Sequence, residues 1–290
     1  MPISSQAVGS TTALPITEIS PRRIIAYAAG LGDSNPRYLD DAAPAGIVAH
    51  PAFCVALEWP AAVALREQSP LGGTADEKRR AVHAAQDSTW YRPIRPGDRL
   101  RTMATVLQVR ALKPGALVLT KFATEDADTG EPVVTSYSST IYRGVGVTGE
   151  DAQSEAAPVI PAAPEGLAPR KGVDIPIARE APHVYTECAQ IWNPIHTERR
   201  VALQAGLPDI ILHGTATWAL AVSELIQRCA HSDPMRLRRF AGRFTAMVIP
   251  GTTIRLAYTT MPDEPQTVFY AVYNADGARA ISSGLAVIEL

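Results

Sequence analysis

Polar and apolar positions change rhythm twice along this chain, and both times in the same order. Residues 1–15 are rich in Ser and Thr and read as a loose arm or a first strand. The run Ser-Pro-Arg-Arg-Ile-Ile-Ala-Tyr-Ala-Ala (20–29) predicts a helix with Ser20 as N-cap, Pro21 at the first helical position and a stop at Gly30. Residues 32–38, Gly-Asp-Ser-Asn-Pro-Arg-Tyr, have turn composition. Residues 50–68 are mainly apolar and predict a second helix, with a kink or break near Trp59 because Pro60 lies inside it. After a Pro/Gly loop (69–77), the period shortens to two. Segments 82–91, 99–112, 117–125 and 133–143 read as strands, separated by Arg-Pro-Gly-Asp, Lys-Pro-Gly and Asp-Ala-Asp-Thr-Gly. Such short breaks predict an antiparallel meander.

Residues 145–172 are rich in Gly, Ala, Pro and Glu without periodicity and read as a linker. The earlier order then returns. Residues 186–191 lead into a turn at Asn193-Pro194. Residues 215–230 predict a helix with Trp218, Val222, Leu225 and Ile226 on one face. Strands follow at 236–248, 253–261, 267–273 and 278–288. Three landmarks recur: Asn35-Pro36 with Asn193-Pro194, His50 with His213, and Pro96-Gly97 with Pro250-Gly251. First to third spans 61 residues in one half (35 to 96) and 57 in the other (193 to 250). Two copies of one unit explain this, and two copies laid edge to edge close one sheet edge of each. The expected division is 1–144, a linker 145–172, and 173–290.

Composition narrows the classes of function. With 290 residues and 46% hydrophobic content, the chain is large enough for two cores. A net charge of −2 gives no electrostatic reason to bind nucleic acid or an anionic membrane. No window approaches 18 uninterrupted apolar residues, so no membrane span is expected. Cys54, Cys188 and Cys229 are odd in number and far apart, which argues against a disulfide framework and for a reducing cytoplasm. No signal peptide is visible in residues 1–14. Gly144-Val-Gly146-Val-Thr-Gly149 fits a dinucleotide pattern but leads into the linker rather than a helix. No His/Cys spacing suggests a metal, and there is no Gly-x-Ser-x-Gly elbow.

The chemistry concentrates in residues 191–214. His196 sits in the Asn193-Pro194 turn, and His213-Gly214 opens a helix. An imidazole moves protons near neutral pH, and the free N–H groups of a first helical turn hold a developing oxyanion. Asn193-Pro194-x-His196 followed by His213-Gly214 resembles the MaoC-like, or type-2, enoyl-CoA hydratase/dehydratase family. The family motif is Asp-x-Asn-Pro-x-His, and its Asp position falls here on Ile191.

The resemblance covers nearly the whole chain outside the arm and the linker. It implies an α+β double hotdog, two antiparallel sheets each wrapped around a central helix, forming a pseudo-dimer within one chain that is free to pair as a homodimer. It implies a non-catalytic N-terminal half and a C-terminal half that adds water to an enoyl thioester, or removes it, in the syn sense. His196 is then the acid/base and the Gly214 N–H the oxyanion donor. Asn193 ties down the turn. No cofactor is implied; coenzyme A or an acyl carrier comes as part of the substrate.

Asp33 keeps the acid of Asp-x-Asn-Pro in the N-terminal half, where Tyr38 replaces the histidine. For a replacement acid in the C-terminal half, Asp209 and Glu187 are the candidates. Asp33, Trp192, Asp209 and His213 are the further candidate substrate-binding residues. His83, His183 and His231 have no motif around them. Residues 235–240, Met-Arg-Leu-Arg-Arg-Phe, with Arg243, offer cations for coenzyme A phosphates or a solvated strand face. Competing readings are a non-catalytic acyl binder, a cyclase or isomerase, and an acyl thioesterase.

Overall fold

In the computed structural model, residues 2–289 are described apart from Gly166, Ala168, Arg170 and Pro262. Ser20 caps α1 (Pro21–Gly30) by accepting from the Arg23 N–H at 3.3 Å. Asn35 caps a short helix, Pro36–Leu39, in the same way. A 3₁₀ turn, Pro51–Phe53, then leads into α2 (Cys54–Gln68). The break expected near Trp59 does not occur, and α2 is continuous through Pro60. Proline has no N–H to give the carbonyl four residues back. That carbonyl, Ala56 O, instead accepts from Arg23 Nη2 at 3.4 Å. The loop after α2 holds a further short helix, Ala75–Arg79, started by a Thr74/Glu77 capping box.

Four strands wrap α2: β1 (Ala81–Trp90), β2 (Arg99–Leu112), β3 (Gly115–Asp126) and β4 (Pro132–Arg143). The second half repeats the plan. It runs through β5 (Lys171–Pro176), α3 (Ala181–Ala189), a 3₁₀ turn at Pro194–His196, a short helix Arg199–Gln204, and α4 (Gly214–Cys229). It ends with β6 (Leu237–Phe244), β7 (Thr253–Thr260), β8 (Thr267–Tyr273) and β9 (Arg279–Ile288). Neither α3 nor Arg199–Gln204 is signalled by periodicity, although α3 is the counterpart of α1.

The strand order is β5-β7-β8-β9-β6-β1-β4-β3-β2, with Thr11–Ala13 on the outer edge of β2. The two halves meet at β6 and β1, which pair antiparallel with Ala241 opposite Asp87, so the double hotdog carries one continuous sheet. Arg239 clamps the seam, its Nε and Nη2 donating to the two Asp87 oxygens at 2.9 and 2.6 Å. Arg238 pairs with Glu289. These two members of the basic run are therefore committed within the protein rather than offered to phosphate.

Inside the sheet, α2 and α4 share one core. Trp218 stacks on Trp90 at 6.2 Å and meets Phe240 edge-on. Outside the turns, α1 and α3 pack across the halves: the Tyr27 and Tyr185 hydroxyls lie 3.1 Å apart. A Cβ at Gly30 would stand 2.5 Å from the Cys188 Cβ, so only glycine permits this approach. The expected linker is laid along the sheet. Val147–Thr148 pairs with Ile3–Ser4, Ala152–Gln153 pairs with β2, and the Val159 carbonyl accepts from Arg239. It gives way to β5 at Lys171; Gly166, Ala168 and Arg170 lie outside the described residues. Among the described residues, no helix is long and apolar enough to cross a membrane.

Candidate active site

Asn193 begins the site. Its Oδ1 accepts from the Ile195 N–H at 3.4 Å, and Pro194 occupies the first position of the turn, where a missing N–H costs nothing. The turn buries His196 and brings its Nδ1 within 2.8 Å of the Ile211 carbonyl. A carbonyl oxygen can only accept, so Nδ1 carries the hydrogen and Nε2 presents a lone pair. Burial lowers the His196 pKa to about 4, the Ile211 bond opposing the shift, so the ring is a neutral base at physiological pH.

The His213 ring stacks on His196 with centroids 3.7 Å apart. It is fixed from the other side by Thr186 Oγ1, 3.1 Å from its Nε2. Burial and then the His196 ring push its pKa well below the usual value. His213 is the N-cap residue of α4 yet makes no side-chain capping bond. The first N–H groups of α4 have no intrahelical acceptor. Gly214 stands at that end with Phe244 against it, 3.2 Å from where a Cβ would lie.

These groups face a cavity of about 780 Å³. Its wall takes Asn193, His196, His213 and Gly214 from the C-terminal half, and Glu58, Trp59, His83 and Gln86 from the N-terminal half. Across the halves, His83 packs on Phe244 with ring centroids at 4.6 Å. This volume, within the range of small-molecule sites, is big enough for an acyl group and shared by both hotdogs.

The remaining candidates lie elsewhere. Ile191, at the position of the motif's Asp, does line the cavity, 5% exposed and continuous with the apolar core. Asp209 lies outside the cavity wall, partly exposed and paired with Arg199 at 3.2 Å. Glu187 points to solvent from α3. Trp192, next to the turn, is 57% exposed and also outside the wall. Asp33 is not united with His196. It accepts from the Asn35 N–H and lies 3.8 Å from His50 in the N-terminal half. The carboxylates in the wall are Glu58, deep inside, and Asp276, exposed on the β8–β9 turn. No carboxylate is paired with His196 among the described residues. Glu58, His83 and Gln86 were not singled out as site residues from sequence. An acid in the otherwise apolar run 53–57 and 60–65 was the one signal for Glu58.

Comparison with known proteins gives one family match in each half of the chain. The MaoC like domain matches residues 162–268, and the FAS1-like dehydratase domain region matches residues 6–136. A probable enoyl-CoA hydratase 2 of Dictyostelium discoideum is 29% identical over 60% of this chain and 58% of its own length. The 3-hydroxyacyl-thioester dehydratase Y of Mycobacterium tuberculosis is 28% identical over 69% of this chain and 68% of its own. The crystal structure of a MaoC-like dehydratase from Phytophthora capsici shares the fold, with a TM-score of 0.85 at 20% identity, over 98% of this chain and 96% of that one. With two hotdogs in one chain, a motif histidine beside the N-terminus of a buried helix, and matches on both sides of the linker, the protein belongs to the MaoC-like hydratase/dehydratase family.

Proposed function

We propose that this protein interconverts enoyl and 3-hydroxyacyl thioesters, with His196 as acid/base, the Gly214 N–H as oxyanion donor and Asn193 as the cap that fixes the turn. The observation that carries the reading is that His196, its Nδ1 proton committed to the Ile211 carbonyl, and the start of α4 at Gly214, without a side-chain cap, line one large cavity. In the direction of dehydration, Nε2 takes the proton from the α carbon. The C–H electron pair moves into an enolate whose oxygen is held by the helix N–H groups. The carbonyl re-forms, the β C–O bond breaks, and the departing hydroxide leaves as water with the proton returned by His196. Syn geometry puts both transfers on one face of the substrate, so a single imidazole can perform them. Hydration is the same path reversed.

Ile191 cannot share the proton work or the transient positive charge. A missing acid–base partner forfeits about 10²–10⁴ in rate, so turnover should be modest. The test is His196→Ala, which should lower kcat/KM for enoyl-CoA hydration by at least about 10². Undiminished hydration of every accepted thioester would refute the assignment. Ile191 in the cavity wall is also the observation that favours a non-catalytic acyl-binding protein. That reading expects saturable binding of enoyl-CoA with no hydration by the wild type.

A further inference from the structure

The N-terminal end of the cavity carries a buried polar cluster that the proposed chemistry does not use. Glu58, on α2, accepts from Ser136 Oγ at 2.5 Å and from Gln86 Nε2 at 2.9 Å. Gln86 Nε2 also donates to Ser88 Oγ at 3.1 Å, and Ser88 Oγ lies 2.8 Å from Ser136 Oγ. The His83 Nε2 is 3.1 Å from Gln86 Oε1 and 2.9 Å from Ser138 Oγ. Glu58, Gln86, His83 and Ser138 all belong to the cavity wall.

The bonds have a direction. Both amide hydrogens of Gln86 and the hydroxyl hydrogen of Ser136 point along paths that end on Glu58, which makes its carboxylate an acceptor. A carboxylate offers about four lone-pair positions, and the three donors Ser136, Gln86 and Cys54 leave room for another. No Lys, Arg or His forms a salt bridge with Glu58 among the described residues. Burial raises the Glu58 pKa, against the bonds from Ser136, Gln86 and Cys54.

The fold does not require an acid there. Glu58 is eight residues after His50, and the residue eight after His213 is Ala221. Ala221 is fully buried in the core that holds Trp218 and Phe240. The same place in the repeat is thus filled by a methyl group, whereas burying an uncompensated carboxylate is unfavourable. A wall meant only for hydrocarbon would be better built like the C-terminal copy.

We propose that the Glu58 cluster recognises a hydrogen-bond donor, a hydroxyl or an ammonium group, carried on the acyl chain, so that the preferred thioester is functionalised rather than plain fatty acyl. This rests on the cavity being the acyl site of the proposed hydratase. The specificity is tested on the full-length protein with matched trans-2-enoyl-CoA series of four to twelve carbons, ending in methyl, hydroxyl or amino groups. Both kcat/KM and Kd are measured.

At the chain length that reaches the cluster, the hydroxyl- or amino-ended compound should show a higher kcat/KM and a lower Kd than the methyl-ended compound, each by about 10-fold or more, as expected for a hydrogen bond to a charged acceptor. Whichever polar series wins identifies the donor. Glu58→Gln should bring that ratio close to one, and Ser138→Ala, at the edge of the cluster, should reduce it partway. Equal or better use of methyl-ended chains at every length overturns the proposal and leaves Glu58 as a tie between helix and sheet. Tighter binding of donor-bearing thioesters without turnover supports the cluster and overturns the hydratase reading. Absence of both binding and turnover overturns both.

Discussion

The helical segments that fill the hotdogs open on histidines with nearly the same backbone: φ −54° and ψ 134° at His50, ahead of the 3₁₀ turn that leads into α2, and φ −56° and ψ 136° at His213, ahead of α4. Their side chains do opposite things. His50 turns back onto its helix, and its Nδ1 accepts the Ala52 N–H at 3.1 Å. Its proton is therefore on Nε2, facing Ser223 Oγ at 3.0 Å, and no lone pair remains for a substrate. The next residue is Pro51, which has no N–H to give. In the C-terminal half, His213 leaves its helix uncapped, Gly214 keeps its N–H, and His196 stands where Tyr38 stands in the other copy. Beside His50 and Pro51 the crevice measures about 20 Å³, roughly one water, against about 780 Å³ at Gly214. One backbone design thus serves as a closed helix start or as an open oxyanion site. What decides is whether the protein itself consumes the donors at the helix end.

Making the open copy resemble the closed one should have the largest effect. Gly214→Pro removes the N–H at a position where helices tolerate proline. We expect kcat to fall by about 10²–10³ with the circular dichroism spectrum retained; unchanged kcat would exclude Gly214 as the oxyanion donor. The converse experiment restores to the C-terminal half the acid that Asp33 supplies in the other. Ile191→Asp should raise kcat/KM by about 10-fold or more, together with a lower Tm because the carboxylate enters an apolar core. If activity appears only in this variant, the native protein is a binder.

The histidines also predict a pH dependence. With the His196 pKa at about 4, kcat/KM should stay level in weak acid and fall about tenfold per pH unit only below that value. Burial lowers His50, His83 and His196 to about 4 each. The unfolded chain, with histidines near ~6.5, takes up protons first as pH falls. Stability is therefore complete above about 6.5 and declines through the window down to about 4, by up to about 3 kcal/mol per histidine. Thermal melts at pH 7 and near pH 4.5 would show it, and a Tm that does not drop would contradict the buried, neutral rings. The smallest effect belongs to Asp209→Asn. Its partner is the exposed Arg199, so activity should change less than about twofold and stability by less than about 1 kcal/mol. A large loss of activity would return Asp209 to the site.

Much of the fold was legible because it is written locally. The Ser20 and Asn193 caps, the proline after each, and the alternation that marks the strands involve residues a few positions apart. The repeat made two copies of one unit readable, and the resemblance carried by Asn-Pro-x-His ahead of His-Gly implied the double hotdog and pointed to His196. The repeat also held unread information: α1 ahead of one Asn-Pro turn implied α3 ahead of the other.

What only the tertiary structure decided involves partners far apart in the chain. The basic run containing Arg239 read as phosphate ligands or a solvated strand face; Asp87, 152 residues away, takes Arg239 into the seam instead. Asp209, close to His213 in sequence, turned out to face solvent. Pro51 and Gly214 differ locally, but the side-chain partners of the two histidines, Ser223 for His50 and Thr186 with the His196 ring for His213, are distant in sequence. The cavity wall is the extreme case: His83 and Phe244 touch only because two hotdogs close on each other. Caps and periods follow from short-range sterics and hydrogen bonding, whereas tautomer, cavity and charge pairing are set by packing that joins distant segments.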